Sequence, residues 1–126
     1  MMNDSVIVEG VDSQLSKDAL YSTVHGAGRT MSRNEAAGKK KWIRGRDGIK
    51  KPVTVGRGKV NFEKVKSSVK QKGIELRGSG ADEAPECYKN LDEVLSYMGN
   101  TIKVLYKLHP IGVAMAGTDI YDPYKD

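Results

Sequence analysis

Short runs of β-branched residues mark the predicted strands of this chain. The segment VIV at residues 6–8 lies between a polar start and Gly10, which is typical of a buried strand. Residues 74–76 form a second candidate. A third strand is predicted at 102–107, where Ile102, Val104 and Tyr106 alternate with Lys103, Leu105 and Lys107, and residues 111–115 predict a fourth. A flexible joint is expected at Gly78-Ser79-Gly80.

Three segments have a helical pattern that begins at a capping residue. Ser32 and Glu35 have the capping-box spacing and predict a short helix from residue 33. Asn61 precedes apolar positions at 62, 65 and 69, and Gly73 ends that pattern. Asn90 precedes a third helix with a predicted buried stripe at 91, 94, 95 and 98. Strands and helices are mixed along the chain, so we predict an α+β fold.

The length of 126 residues suits one domain or part of one. No apolar run reaches the roughly 18 residues that a membrane-spanning helix needs, and the first residues lack a signal-peptide pattern. We therefore expect a soluble, cytoplasmic chain with no membrane partner. The one cysteine, Cys87, cannot form an internal disulfide, and His25 and His109 lie too far from it for a zinc motif. No metal site is predicted within the chain.

Positive charge is concentrated in one segment. Residues 39–59 contain nine basic residues and one acid, Asp47, a net charge of +8, whereas the rest of the chain is net −3. The glycines and the proline of residues 39–60 predict a flexible or hairpin-like insertion. Such a segment fits a polyanion such as RNA, because binding releases counterions from the phosphates; a solvated basic loop is the alternative interpretation.

The segment HGAGR at residues 25–29 has the composition of a phosphate-binding site. The glycines tolerate positive φ and allow a ligand close to the backbone, and their N–H groups can hold a phosphate. Arg29 and Arg33 add guanidinium groups that bind phosphate through paired hydrogen bonds. With the imidazole of His25, this arrangement suits phosphoryl or nucleotidyl transfer. A turn with a purely structural histidine is the alternative.

Three ordered motifs resemble the RtcB family of RNA ligases. The segment VHGAGRTMSR at residues 24–33 is similar to the family's active-site signature, and SVIVEG at residues 5–10 precedes it. DEAPECYKNLDEV at residues 82–94 is similar to the family's DEAPxxYK segment, and LHPIGV at residues 108–113 resembles its end. The resemblance implies that residues 1–126 are the C-terminal portion of an RtcB-like ligase domain, with a basic insertion at about 39–60.

The resemblance also implies a mechanism. His25 would attack the α-phosphate of GTP to give a histidine-linked GMP, which passes to an RNA 3′-phosphate and is displaced by a 5′-hydroxyl. Gly26, Ala27 and Gly28 would contact the guanylate through backbone, and Tyr88 would lie against the guanosine. Arg29 and Arg33 would face phosphates of nucleotide or RNA. Cys87 is expected to be a small packed residue and His109 a structural one.

Two departures from the family pattern limit what the chain does alone. The terminal Lys-Gly that contacts guanine in the family is missing, and Lys125 is a candidate substitute. The family's Mn²⁺ ligands lie in a part preceding this segment. We therefore expect the isolated chain not to ligate RNA, and to act on broken RNA or tRNA halves only as part of a longer protein or with an N-terminal RtcB fragment. The alternatives are a non-catalytic basic RNA-binding module, in which Trp42 adds a stacking ring, and a truncated remnant.

Overall fold

The computed structural model describes residues 1–117, and these residues have the predicted α+β fold. The first half contains, in chain order, β1 (Ser5–Gly10), α1 (Gln14–Asp18), α2 (Arg33–Ala37), β2 (Lys40–Arg44) and β3 (Lys50–Thr54). The second half contains α3 (Phe62–Gln71), β4 (Glu75–Ser79), two 3₁₀ turns (Ala81–Glu83 and Pro85–Cys87), α4 (Leu91–Ser96), β5 (Ile102–Leu108) and β6 (Gly112–Gly117). The tail from 118 to 126, including Lys125, lies outside the described residues.

The strands pair as three separate two-stranded ribbons. β1 is antiparallel to β5, with a bulge between Ile7 and Val8. β2 and β3 form an antiparallel hairpin, and β4 runs parallel to β6. A two-stranded ribbon is marginally stable alone, so each ribbon depends on what packs against it.

The predicted helix starts are confirmed by their caps. The Ser32 hydroxyl accepts a hydrogen bond from the Glu35 backbone N–H at 3.1 Å, and Asn61 and Asn90 cap α3 and α4 in the same way. At α2 the Glu35 carboxylate in turn accepts a backbone hydrogen bond from Ser32, so the capping box is complete. The same carboxylate also accepts a hydrogen bond from the ammonium group of Lys59. This hydrogen bond and charge lower the pKa of Glu35 below its ordinary value.

The core lies where α2 and α3 meet the two 3₁₀ turns. Its centre is Val69, which is 1% exposed, beside Val65 and Ile74. Ala36 of α2 and Ala84 between the turns are fully buried against this group. Apart from these aliphatic side chains and Cys87, the larger apolar residues of the cluster are only partly buried. The fold therefore has a small core that holds α2 and the 3₁₀ turns together.

Three local predictions were wrong. β1 is not buried: Ile7 is 46% exposed, because nothing within the described residues covers its side of the β1–β5 ribbon. The predicted buried stripe of α4 is at most half-buried. Gly78 is not in a flexible joint but in β4, where an added Cβ would clash with the carbonyl oxygen of Met115 in β6. The exposed apolar side chains leave a surface that further polypeptide could cover.

The basic insertion forms a hairpin on a closely packed stem. A Cβ on Gly38 would clash with the backbone oxygen of Gly56, and one on Gly58 would clash with the backbone oxygen of Ala36. Only glycine allows the two arms of the stem to approach this closely. The Val60 N–H also donates to the Ala36 carbonyl at 3.1 Å. The hairpin is therefore anchored on α2.

Within residues 1–117, no helix has both the length and the apolar character required to cross a membrane.

We expect Val69→Ala to lower the free energy of unfolding by about 2 kcal/mol, because it removes buried methyl groups and leaves a cavity. Urea unfolding followed by circular dichroism measures this change. Val53→Ala makes the same substitution on the hairpin, where the side chain is 44% exposed, and should cost less than about 0.5 kcal/mol. Equal losses in the two variants would contradict a core centred on α3.

Candidate functional site

The HGAGR loop, residues 25–29, is joined directly to the second predicted motif. The Thr30 N–H donates to the Cys87 carbonyl at 2.8 Å, and the Lys89 N–H donates to the Gly28 carbonyl at 3.0 Å. These two bonds form an antiparallel bridge that pairs Arg29 with Tyr88. Two segments that are far apart in sequence are thus held in one local structure.

The glycines of the loop face open space. Gly28 has φ of +79°, a conformation that favours glycine. An added Cβ at Gly26 would meet no atom within 4 Å, apart from its chain neighbours. Packing within the chain therefore does not require glycine at position 26. The close approach of a ligand to the backbone is a different reason for a glycine there.

His25 lies at a cleft with a volume of about 330 Å³. This volume is at the lower end of the range for small-molecule sites, roughly 300 to 1,000 Å³. Gly26, Ala27 and Tyr88 also line it, so the structure brings four of the predicted site residues together. The cleft has an apolar wall from β1, α4 and β5, formed by Val6, Val8, Leu91, Leu95 and Ile102, and a polar side that includes Asn3, Asp4 and Ser5.

Arg29 is not among the residues that line this cleft, and its guanidinium group donates three hydrogen bonds within the chain. Nη2 donates to the Asp82 carbonyl at 2.5 Å, Nη1 to the Tyr88 hydroxyl at 2.9 Å, and Nε to the Met31 carbonyl at 3.1 Å. The guanidinium carbon is also 4.8 Å from the centroid of the Tyr88 ring. These contacts fix the loop, and a phosphate contact of Arg29 stays a prediction.

Glu83 connects the same residues and was not singled out from the sequence. The Tyr88 hydroxyl donates to its carboxylate, which also lies 3.7 Å from Arg29 Nη1 and 3.6 Å from Arg33 Nε. We call Arg29, Arg33, Glu83 and Tyr88 the Glu83 cluster. An acid in the second motif, opposite two arginines of the first, was the signal available in the sequence. The Glu83 side chain is only 20% exposed, so solvent screens these charges weakly.

Burial changes the pKa values of two neighbouring side chains. It raises the pKa of Tyr88, and the hydrogen bond and negative charge of Glu83 raise it further. Burial also raises the pKa of the Cys87 thiol. Both groups are therefore protonated near neutral pH. Cys87 is fully buried, and its Sγ lies 3.5 Å from the Ala81 carbonyl, which fits a small packed residue.

The second histidine, His109, contacts Asp4. His109 is exposed, and its Nδ1 lies 2.7 Å from a carboxylate oxygen of Asp4. No group of three His, Cys, Asp or Glu side chains able to hold a metal ion occurs within residues 1–117. Arg33, like Arg29 and Gly28, is not among the residues that line the cleft.

Comparisons with known proteins define the class of this chain. The family model described as tRNA-splicing ligase RtcB matches residues 1–116. The chain therefore belongs to the RtcB family.

Its similar relatives are much longer proteins. The tRNA-splicing ligase RtcB of Archaeoglobus fulgidus is 34% identical over 120 residues, which cover 90% of this chain and 20% of that protein. The RNA-splicing ligase RtcB of Mycobacterium bovis is 33% identical over 100 residues, 75% of this chain and 18% of that protein. The tRNA-splicing ligase RtcB of Pyrococcus horikoshii is 29% identical over 116 residues, 87% of this chain and 11% of that protein. The chain spans a fifth or less of the length of these relatives.

We expect Glu83→Gln to lower the pKa of Tyr88, because the substitution removes a negative charge that disfavours the tyrosinate. The pKa should remain above the ordinary value, since burial of the hydroxyl persists. NMR titration of a tyrosine ring-labelled chain measures it. Glu86→Gln removes an exposed acid from the same motif and should leave the Tyr88 pKa unchanged. An unchanged pKa in Glu83→Gln would contradict the cluster.

Proposed function

We propose that this chain is the guanylate-accepting, C-terminal segment of an RNA ligase, with His25 as the nucleophile. The observation that carries the proposal is the exposed imidazole of His25 beside open glycine backbone, at a cleft that Tyr88 also lines. Membership of the RtcB family supports the ligase class. The substrate class is RNA with a 3′-phosphate or 2′,3′-cyclic phosphate end and a 5′-hydroxyl end, such as tRNA halves or broken RNA.

The proposed reaction passes through two covalent intermediates, histidine-linked GMP and a guanylylated RNA 3′-phosphate. A lone pair on a neutral imidazole nitrogen of His25 forms a bond to the α-phosphorus of GTP, and pyrophosphate leaves. An oxygen of the RNA 3′-phosphate, to which a 2′,3′-cyclic end would first be opened by water, then displaces the histidine nitrogen and takes the guanylyl group. The 5′-hydroxyl attacks the activated phosphate, GMP leaves, and a phosphodiester forms. One difficult condensation is thereby divided into three displacements.

The contacts around the cleft suggest distinct tasks for the neighbouring residues. The open backbone at Gly26 leaves room for phosphate oxygens close to the chain. The apolar wall and the Tyr88 ring offer a surface for a purine. Arg29, with three internal hydrogen bonds, would act mainly by holding the loop. Phosphate contacts by Gly28, Arg29 and Arg33 are proposed as a further part of RNA or nucleotide binding.

The metal requirement is assigned to polypeptide outside this chain. The described residues hold no suitable group of ligands, so they do not fit the Mn²⁺ ions that the family resemblance implies. Bound Mn²⁺ would neutralise phosphate charge during the displacement. We therefore propose that the chain is active only as part of a longer or reconstituted ligase.

The exposed apolar face of the β1–β5 ribbon supports the proposal that the chain acts together with further polypeptide. Ile7 is 46% exposed, Tyr106 64% and Leu108 49%. Ile7 is paired with Tyr106, and Leu108 lies two residues farther along β5. Large apolar side chains grouped on one surface mark a contact with another polypeptide. An N-terminal RtcB fragment is the proposed partner for this face.

A non-catalytic RNA-binding module is the second candidate function, and the basic hairpin favours it. In this case RNA binding would depend on the hairpin and not on His25. The two functions differ in whether a covalent guanylate forms.

We expect a chimera of the Archaeoglobus fulgidus relative, with this chain in place of its matched segment, to gain one guanylyl group on incubation with GTP and Mn²⁺. Intact-mass measurement detects the adduct. His25→Ala should abolish it completely, because no other nitrogen occupies the same position at the cleft. His109→Ala replaces the other histidine, which pairs with Asp4, and should retain the adduct.

Two outcomes would contradict the proposal that the chain is part of an enzyme. One is a folded chimera that forms no adduct while the parental ligase does. The other is an adduct that persists in His25→Ala. RNA binding by an adduct-free chimera would support the binding-module function instead.

A further inference from the structure

We propose that one face of the basic hairpin is a docking surface for single-stranded RNA, with Trp42 at its centre. The inference rests on the proposed function in one respect: the RNA bound there would be the strand that is to be joined. The hairpin comprises β2, β3 and the turn between them. It makes no extensive contact with another helix or strand of residues 1–117, so most of its surface is exposed.

The strand register divides the basic residues between two faces. Directly opposed residues of an antiparallel pair share a face, and successive residues alternate. Trp42 pairs with Pro52, and Arg44 pairs with Lys50. The Trp42 face therefore contains Lys40, Trp42, Arg44, Lys50, Pro52 and Thr54. The opposite face contains Lys41, Ile43, Lys51 and Val53.

Charge distinguishes the two faces. The one acid of the segment, Asp47, pairs with Lys51 of the opposite face at 2.9 Å. This contact lowers the pKa of Asp47, so the acid stays ionised and offsets a positive charge there. Lys40 and Arg44 of the Trp42 face form no ion pair with a carboxylate of residues 1–117. The Trp42 face is therefore the more positive of the two.

Side-chain chemistry also favours RNA on the Trp42 face. A half-buried indole stands between Lys40 and Arg44 along β2. An aromatic ring flanked by cations can stack an unpaired base while the cations contact the phosphates on either side. The opposite face offers the exposed aliphatic side chains of Ile43 and Val53 instead. These give no comparable stacking surface.

The stem connects this surface to the structure around the cleft at His25. Gly38 and Gly58 pack backbone against backbone, and the Lys59 ammonium group contacts Glu35 of α2. Helix α2 begins four residues after the end of the HGAGR loop. Its first residue is Arg33, which belongs to the Glu83 cluster. An RNA strand bound to the hairpin would therefore be attached, through the stem and α2, to the local structure that contains His25.

The test compares two triple variants with equal charge change in the full chain. The Trp42-face variant is Lys40→Gln, Arg44→Gln and Lys50→Gln, and the control is Lys39→Gln, Lys41→Gln and Lys51→Gln. Lys39 lies two residues before Lys41, just ahead of β2. Binding of a fluorescein-labelled, single-stranded oligoribonucleotide of about a dozen nucleotides is measured by anisotropy over a series of KCl concentrations.

We expect the Trp42-face variant to reduce the slope of log affinity against log salt by about 2, since each lost phosphate contact on a single strand removes about 0.7. The control variant should reduce it by less than about 1. Trp42→Ala should weaken binding about fivefold or more with the slope unchanged, and Trp42→Phe should restore most of the affinity. Circular dichroism confirms that each variant keeps the fold.

Equal losses in the two triple variants would overturn the proposal, because binding would then follow net charge and not a particular face. Unchanged binding in both would overturn it as well, and would leave the hairpin to a protein partner. The measurement needs neither GTP nor Mn²⁺, so it does not depend on the guanylylation step. Failure of the guanylate adduct and failure of hairpin docking are therefore separate results.

Discussion

The contact on which the rest of the structure depends is the junction between the HGAGR loop and the segment after the second 3₁₀ turn. Two backbone hydrogen bonds link Thr30 and Gly28 to Cys87 and Lys89, and the Arg29 guanidinium spans the same junction. The junction fixes Tyr88 at the cleft, and it positions the loop that leads into α2. The cleft, the small core and the base of the hairpin are all attached to this one connection.

A polar junction can hold these parts of the structure together because its polar groups are hydrogen-bonded to one another. The Arg29 guanidinium, the Tyr88 hydroxyl and the Glu83 carboxylate each have a partner of opposite hydrogen-bonding role. Removing one member would leave another half-buried without its partner, which costs more than the bond itself contributes. The apolar core offers limited compensation, since its fully buried members are small. The arrangement of the loop therefore depends on polar contacts more than on apolar burial.

Sequence analysis predicted the features that depend on neighbouring residues. It failed for features that depend on contacts between distant segments of the chain. The caps at Ser32, Asn61 and Asn90 are local hydrogen bonds, so their helices were predictable, and the glycine-rich insertion indicated a hairpin. The exposure of β1 depends on what covers its ribbon, which no local pattern records. Glu83 was missed because its importance comes from two arginines more than forty-five positions earlier in the chain. The motif resemblance named Tyr88 but not the acid that holds it.

The contrast between His25 and Arg29 explains how the loop combines rigidity with access. In its proposed role as nucleophile, His25 would need an unobstructed path to phosphorus, so its side chain could not be packed on all sides. His25 is exposed, and the open backbone at Gly26 adjoins it. Such a residue contributes little to its own positioning. Arg29, four residues later, makes three hydrogen bonds that hold the loop to which His25 belongs. The arginine of the motif thus has a structural reason to accompany the histidine, separate from any contact with phosphate.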